Sequence, residues 1–331
     1  MSKSITILTP CYNEEDNVHE IYARVREAII AAGGYQYEHI FIDNASRDNT
    51  LRELKAIAAR DKNVKVIRNT RNFGPVRSPM HALNQASGDA VIGIVADLQD
   101  PPEMIVNFIR KWEEGYPVVI GIKAASDESG PMFWLRKQYY KLVNRLSGVE
   151  TYENFTGFGL FDRKVVDAIK QFDDPYPYFR GMIAEIGMPH AEIPYHQPAR
   201  KRGVTNNNFY SLYDMAMLGI TNLSKVPLRL VTFSGFVCSL LCVLVSLAYL
   251  IYKLVFWNRF SAGLAPLVIG VFFFLSLQMV FIGIIGEYVG AIHTLVQRRP
   301  LVIEQERINF EYGAGEPMRE SMSFEDAVVR G

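Results

Sequence analysis

Over the first 225 residues, short apolar runs rich in β-branched residues alternate with segments whose apolar positions recur at helical spacing. The runs Ser4–Thr9, Glu38–Ile42, Val64–Arg68, Ala90–Val95 and Val118–Ile122 predict strands. Glu15–Ala32, Asp48–Ala59 (with Ser46 as a cap), Pro79–Ala86 and Pro102–Glu114 predict helices. The strand runs are continuously apolar, as in strands covered on both faces, so the pattern predicts an α/β fold with a mostly parallel sheet. The pattern then changes. Leu230–Ile251 and Leu264–Ile285 are each 22 residues without a charge. At helical rise each would extend about 33 Å, enough to cross a bilayer core. Just upstream, Phe209, Leu212, Tyr213, Ala216, Ile220 and Leu223 share one helical face, which suits a helix lying in the membrane interface.

Four regions follow: a globular domain over 1–205, an interfacial helix and linker over 206–227, a two-span region over 228–290, and a tail over 291–331. No apolar stretch opens the chain, so no leader is expected. Arg200, Lys201, Arg202, Lys225 and Arg229 precede the first span, and Arg298, Arg299 and Arg307 follow the second. The intervening loop carries only Lys253 and Arg259, so the positive-inside rule puts the globular domain and both termini on the cytoplasmic side.

Charge and cysteine content exclude several classes. Lys+Arg and Asp+Glu are balanced at 35 each, leaving no net field to recruit nucleic acid. Aromatic residues make up 12% and charged residues 21%, a composition that fills a core. Of the three cysteines, Cys238 and Cys242 lie one helical turn apart in an apolar run, and Cys11 follows the first strand, which argues against a disulfide framework.

The unusual polar residues fall after the predicted strands, where parallel sheets bind ligands. After the first strand comes Pro10-Cys11-Tyr12-Asn13-Glu14. After the second comes Asp43-Asn44-Ala45-Ser46-Arg47-Asp48-Asn49-Thr50. After the fourth comes Asp97-Leu98-Gln99-Asp100-Pro101-Pro102-Glu103. Any one of these could be a strand-to-helix turn; three on one edge, each with a carboxylate, mark a site. No GxGxxG or GxxxxGKS loop is present, so neither a dinucleotide nor a P-loop nucleotide is indicated.

In this order, and with Asn72-x-Gly74, Gly88-Asp89, Arg200–Arg202, Pro227-Leu228-Arg229 and Gly286-Glu287-Tyr288-x-Gly290, the chain resembles family 2 glycosyltransferases of the polyprenyl-phosphate sugar transferase group, which includes dolichyl-phosphate mannose synthases and bactoprenol glucosyltransferases. The resemblance runs to about Ile303 and implies a GT-A-like domain. It further implies transfer of a sugar from a UDP- or GDP-sugar to a polyprenyl phosphate at the membrane, with inversion. It assigns the nucleotide sugar to positions matching Pro10, Tyr12, Glu14, Asp43, Ala96 and Asp97, and a Mg²⁺ or Mn²⁺ ion to Asp97 and Gln99. Taken as extended backbone, Asp97 and Gln99 point to one side, and a carboxylate with an amide oxygen suits either ion. Lys123, Arg136, Arg200 and Arg202 are the candidate cations for the acceptor phosphate.

Three positions depart from the family pattern. Val95 stands where the first acid of Asp-Ala-Asp is usual, Asn206 stands where a Lys is usual, and the stretch that carries the general base in related bactoprenol enzymes has Gly157 or Phe158 in the Asp slot. Glu153 and Asp162 are the carboxylates that could replace it. An acceptor phosphate is largely a dianion near neutral pH and needs positioning more than deprotonation. Two further readings remain: a transferase acting on another lipid or lipid-linked glycan, and a non-enzymatic scaffold that keeps the fold. A homo-oligomer is compatible with two spans per chain.

Overall fold

The computed structural model describes residues 3–33, 35–125, 152, 154–198, 217–219, 221, 224–256 and 264–310. Eight strands form one sheet: β1 (Ser4–Cys11), β2 (Gln36–Asp43), β3 (Val64–Asn69), β4 (Ala90–Gly93), β5 (Val118–Ala125), β6 (Phe155–Asp162), β7 (His190–His196) and β8 (Glu304–Ile308). Their order is β7-β5-β6-β4-β1-β2-β3-β8, and all run parallel except β6 and β8. The mostly parallel α/β fold expected from the sequence is thus the one observed. The helices that cover it are α1 (Val18–Ala32), α2 (Thr50–Arg60), α3 (Gly74–Gln85), α4 (Met104–Glu113), α5 (Arg163–Gln171) and α6 (Phe179–Ile186).

Strand side chains alternate between two buried layers, which explains the continuous apolar runs. Ile5, Ile7 and Phe41 pack with Val18, Ile21, Leu54 and Phe108 of α1, α2 and α4. Leu8, Ile40 and Ile42 pack with Met80, Leu83, Val166 and Ile183 of α3, α5 and α6. Helix α3 begins at Gly74, earlier than the sequence suggested: Pro75 opens the helix and Pro79 sits inside it. Ser46 does not cap α2, because its hydroxyl accepts the Asn13 amide at 3.0 Å.

The strand β8 corrects the expected domain boundaries. The sequence reading placed 291–331 in a tail, whereas Glu304–Ile308 completes the sheet antiparallel to β3. Its composition, Glu-Gln-Glu-Arg-Ile, carries no apolar alternation, so nothing local announces a strand. Tertiary contacts hold it instead. Asn309 Nδ2 donates to the carbonyls of Ala58 (2.7 Å) and Val64 (2.8 Å), Lys55 pairs with Glu306 at 2.7 Å, and Glu304 pairs with His81 and Arg307. Burial would raise the Glu304 carboxyl, but the bonds from His81 and Arg307 outweigh it and hold it at about 2 instead of its ordinary 4.5. A depressed carboxylate stabilises the fold fully above its unfolded pKa, and that contribution is lost as pH falls through the folded one. Glu304→Gln should therefore loosen β8 by ~2 kcal/mol near pH 7, with the difference shrinking between pH 4.5 and 2. Hydrogen exchange of the Thr70 amide, which bonds Ile303 O at 2.9 Å, reads this directly.

The described residues separate into two units, the α/β unit (3–125, 152–198 and 298–310) and a helical unit. The latter contains α7 (Val226–Val255) and α8 (Leu264–Gln297). Both are long and apolar enough to cross a membrane: the mean hydropathy of an 18-residue stretch reaches 2.4 within Val226–Val255 and 1.9 within Gly270–Gln297. Large side chains such as Phe233, Phe272 and Met279 are at least two-thirds exposed, as lipid-facing residues would be. The Tyr288 hydroxyl donates to Ser224 O at 2.6 Å within this unit. Most of the expected interfacial helix, Phe209–Tyr213 and Ala216 included, lies outside the described residues.

Candidate active site

Among the described residues, four of the seven non-glycine positions with left-handed backbone lie at one edge of the sheet. Asn13 (φ 57°) follows β1, Ala45 (φ 60°) follows β2, Leu98 (φ 60°) follows β4, and Asn154 (φ 58°) precedes the antiparallel β6. All four lie at the carboxyl ends of the parallel strands. Such backbone persists only where surrounding contacts impose it, and it concentrates at functional sites. Ala45, half-buried and without a side-chain bond to gain there, isolates the cost: Ala45→Gly should stabilise the α/β unit by ~0.5–1 kcal/mol, read as a higher denaturant midpoint.

The first two loops lock each other. Asn13 Oδ1 accepts the Arg47 amide (2.9 Å), Thr50 Oγ1 accepts the Glu14 amide (2.8 Å), and Asp48 Oδ2 accepts the Glu15 amide (3.1 Å). Ser46, Asp48 and Thr50 are therefore scaffold. Asp43 is different. Its side chain is fully buried, Oδ1 accepts the Ser46 amide at 3.1 Å, and Oδ2 has no hydrogen-bond partner. Burial raises the Asp43 carboxyl, while the bonds from Ser46 and the charge of Arg68 work against the rise. An orphaned buried acceptor at a ligand-binding edge calls for a donor from outside. Tyr12 and Glu14 lie half-buried beside it on the β1 loop, after Pro10, and Glu14 Oε2 accepts from Asn17 at 2.6 Å. Cys11 is buried, and burial with the charges of Asp43 and Glu14 pushes its thiol well up, so it is an inert filler.

On the other side of β1, the loop after β4 carries Ala96, Asp97 and Gln99. The expectation that Asp97 and Gln99 sit on extended backbone is not met: the chain turns at Leu98, and Asp97 Oδ1 accepts the Gln99 amide at 3.1 Å. Leu98 is buried at 4% exposure, which anchors the turn. Ala96 is buried, and Val95 is 38% exposed on the same loop.

Asp100, part of the motif but given no role by the sequence, is buried at 4% exposure. Burial pushes its carboxyl up to about 7, against the Tyr195 hydroxyl that donates to it at 3.0 Å; the Asp97 charge adds to the rise, and the Val95 amide and Lys123 oppose it. Lys123 lies two residues before the end of β5, and the register sets it beside Tyr195 of β7, on the same sheet face. Asp97, Asp100 and Lys123 are thus brought together at the edge that also holds Asp43.

The base candidates fare differently. Asp162 is not at this edge. Because β6 runs antiparallel, its last residue pairs with Ala90, the first of β4, at the opposite end of the sheet. There Asp162 caps α5 through the Lys164 amide (2.9 Å) and accepts from Trp112 Nε1 (2.7 Å), so it is removed as a base. Gly157 has φ 106°, and Phe158 is buried against Phe108, so neither slot holds a carboxylate. Glu153, Arg136, Arg200 and Arg202 lie outside the described residues.

The model of the family described as glycosyl transferase family 2 matches residues 6–170, which contain every one of these loops. An uncharacterized glycosyltransferase of Synechocystis sp. is 34% identical over 316 residues, covering 94% of this chain and 98% of its own. The chain belongs to glycosyltransferase family 2. Another relative, a bactoprenol glucosyl transferase of Shigella phage SfV, is 33% identical over 300 residues, covering 90% of this chain and 97% of its own. Among solved structures, glucosyl-3-phosphoglycerate synthase from Mycobacterium tuberculosis, in complex with Mn²⁺, UDP and phosphoglyceric acid, matches 66% of this chain and 76% of its own at 21% identity and a TM-score of 0.45. The alignments with the two relatives span nine-tenths or more of this family 2 chain, far enough to take in residues of both the α/β unit and the apolar helices.

Proposed function

We propose that this family 2 glycosyltransferase moves a sugar from a nucleotide sugar to a polyprenyl phosphate at a membrane surface. The observation that carries the donor is the Asp43 Oδ2 acceptor, buried and unbonded, which suits an imide or ribose hydroxyl donor of a nucleotide. Tyr12 beside it offers a flat face to a base. The acceptor follows from the likeness to bactoprenol glucosyl transferases over nine-tenths of the chain, together with two helices able to hold the enzyme where a lipid phosphate resides.

Asp97 and Gln99 supply one carboxylate and one amide oxygen on a tight turn, a donor set that fits Mg²⁺ or Mn²⁺, ions that keep several waters and bind substrate phosphates. Among the described residues no three His, Cys, Asp or Glu side chains gather into a metal cluster, so diphosphate oxygens and water would complete such a shell. When bound, the ion would neutralise charge on the departing diphosphate. The chain's own residues do the rest. Asp43 and Tyr12 orient the nucleotide, and Lys123 brings a cation to the same edge for the acceptor phosphate, with Arg136, Arg200 and Arg202 as further candidates. An acceptor oxygen then displaces the nucleoside diphosphate at the anomeric carbon with inversion. A dianionic phosphate needs no carboxylate base, which is consistent with Gly157 and Phe158 in the usual slot.

Purified full-length protein in lipid, given a short polyprenyl phosphate, Mg²⁺ or Mn²⁺ and a panel of UDP- and GDP-sugars, should yield one glycosylated lipid by mass spectrometry. EDTA should abolish it. A product on diacylglycerol instead would replace the acceptor, and nucleotide binding without product on any acceptor would overturn the enzyme reading in favour of a scaffold.

A further inference from the structure

The proposed chemistry leaves one buried pair without a task. Asp100 is 4% exposed and Tyr195 is 6% exposed, and they come from elements 95 residues apart in sequence. The Tyr195 hydroxyl donates to Asp100 Oδ1 at 3.0 Å and lies 3.4 Å from Thr156 Oγ1 at the start of β6. Its ring packs edge-on against Phe158, with centroids 5.4 Å apart. Room for both rings exists only because residue 121 is glycine. A Cβ there would stand 2.9 Å from Phe158 Cδ1 and 3.2 Å from Tyr195 Cε1. The ring is therefore held from three sides with its hydroxyl aimed at the loop.

At the loop end, the turn at Leu98 (φ 60°) is strained, and the Gln99 amide is already committed to Asp97 Oδ1. A strained turn keeps its shape only if it is fixed at both ends. The buried Leu98 side chain anchors one point, and the next fixed point is Asp100.

We propose that Tyr195, through its hydrogen bond to Asp100, is a positioning residue that holds the Asp97–Gln99 turn in the conformation able to bind a divalent ion. The inference rests on the metal role given above to Asp97 and Gln99. It couples the ion site to β7, the strand whose carboxyl end leads toward Arg200 and Arg202. Groups that only orient the residues binding a metal commonly change its affinity by about 10–100-fold.

The test is Mn²⁺ binding by electron paramagnetic resonance to the full chain in detergent, with UDP or GDP present, for wild type, Tyr195→Phe, Asp100→Ala and the double variant. Tyr195→Phe keeps the packed ring and removes only the hydroxyl, so it guards against simple misfolding. It should weaken Mn²⁺ about 10-fold while the protein stays folded, its thermal midpoint lowered only by the loss of one buried hydrogen bond. The double variant should be no weaker than Asp100→Ala alone, because both single changes remove the same bond. Wild type that binds Mn²⁺ alongside unaltered variants, or losses that multiply in the double variant, would overturn the inference alone. Wild type that binds no Mn²⁺ would overturn the metal reading and this inference with it.

Discussion

Asp97→Ala is expected to lower turnover about 10³-fold while the protein still binds nucleotide and stays folded. The side chain is half-buried, and its Oδ1 accepts the Gln99 amide at 3.1 Å. The charge it would contribute is needed as the diphosphate departs, and preorganised groups of this kind are typically worth about 3–4 kcal/mol to the transition state. Nucleotide binding should persist because Asp43 and Tyr12 sit on other strands' loops. The measurement pairs steady-state kinetics on the lipid product with calorimetric UDP or GDP binding. Activity within tenfold of wild type would take Asp97 out of the reaction centre.

The second large effect is on stability. Glu38→Ala should cost about 3 kcal/mol, at the lower end of what breaking a buried ion pair costs. Glu38, the third residue of β2, is 8% exposed and gathers four bonds: Lys65 Nζ at 2.6 Å, Thr6 Oγ1 at 2.5 Å, and the Ser87 amide and hydroxyl at 2.7 and 2.9 Å. Burial alone would raise its carboxyl, but these donors outweigh it and lower it. Truncation strands a lysine that is only 22% exposed, a buried hydroxyl on β1 and the Ser87 backbone amide just before β4. The contribution is present above the unfolded carboxylate range and fades as pH falls, so the difference in denaturant midpoint should narrow in acid. Because this end of the sheet is opposite the site, the variant should retain its substrate affinities at temperatures where it remains folded.

Both predictions turn on which end of the sheet a residue occupies, and the sequence was legible on that point only in part. Strand followed by polar turn is a local signal, so the loops holding Tyr12, Asp43 and Asp97 could be assigned to the ligand-binding edge once the strands were taken as parallel. Asp162, offered as a base from the pattern of related enzymes, lies at the opposite end. Strand β6 inserts antiparallel between β4 and β5, and nothing in Phe155–Asp162 itself encodes that direction. The extended geometry assumed for Asp97 and Gln99 failed for a related reason. A left-handed leucine has no sequence signature, and here the turn is imposed by burial and by contacts made around it. Asp100 was visible as a letter in the motif. Its partner Tyr195 was not, since a tyrosine in a short strand more often signals core.

What the sequence by itself determined is what depends on near neighbours along the chain: the alternation of strand and helix, the strand-end polar loops, and two apolar runs long enough for a bilayer. Hydrophobic period and length are properties of adjacent residues, so they survive without a structure. Only the tertiary structure decided the direction of β6, the docking of charged β8 onto the β3 edge, the unpaired Asp43 oxygen and the Asp100–Tyr195 bond. Each of these is a pairing between residues far apart in sequence, and its free energy comes from burial and hydrogen bonding that exist only once the sheet has assembled.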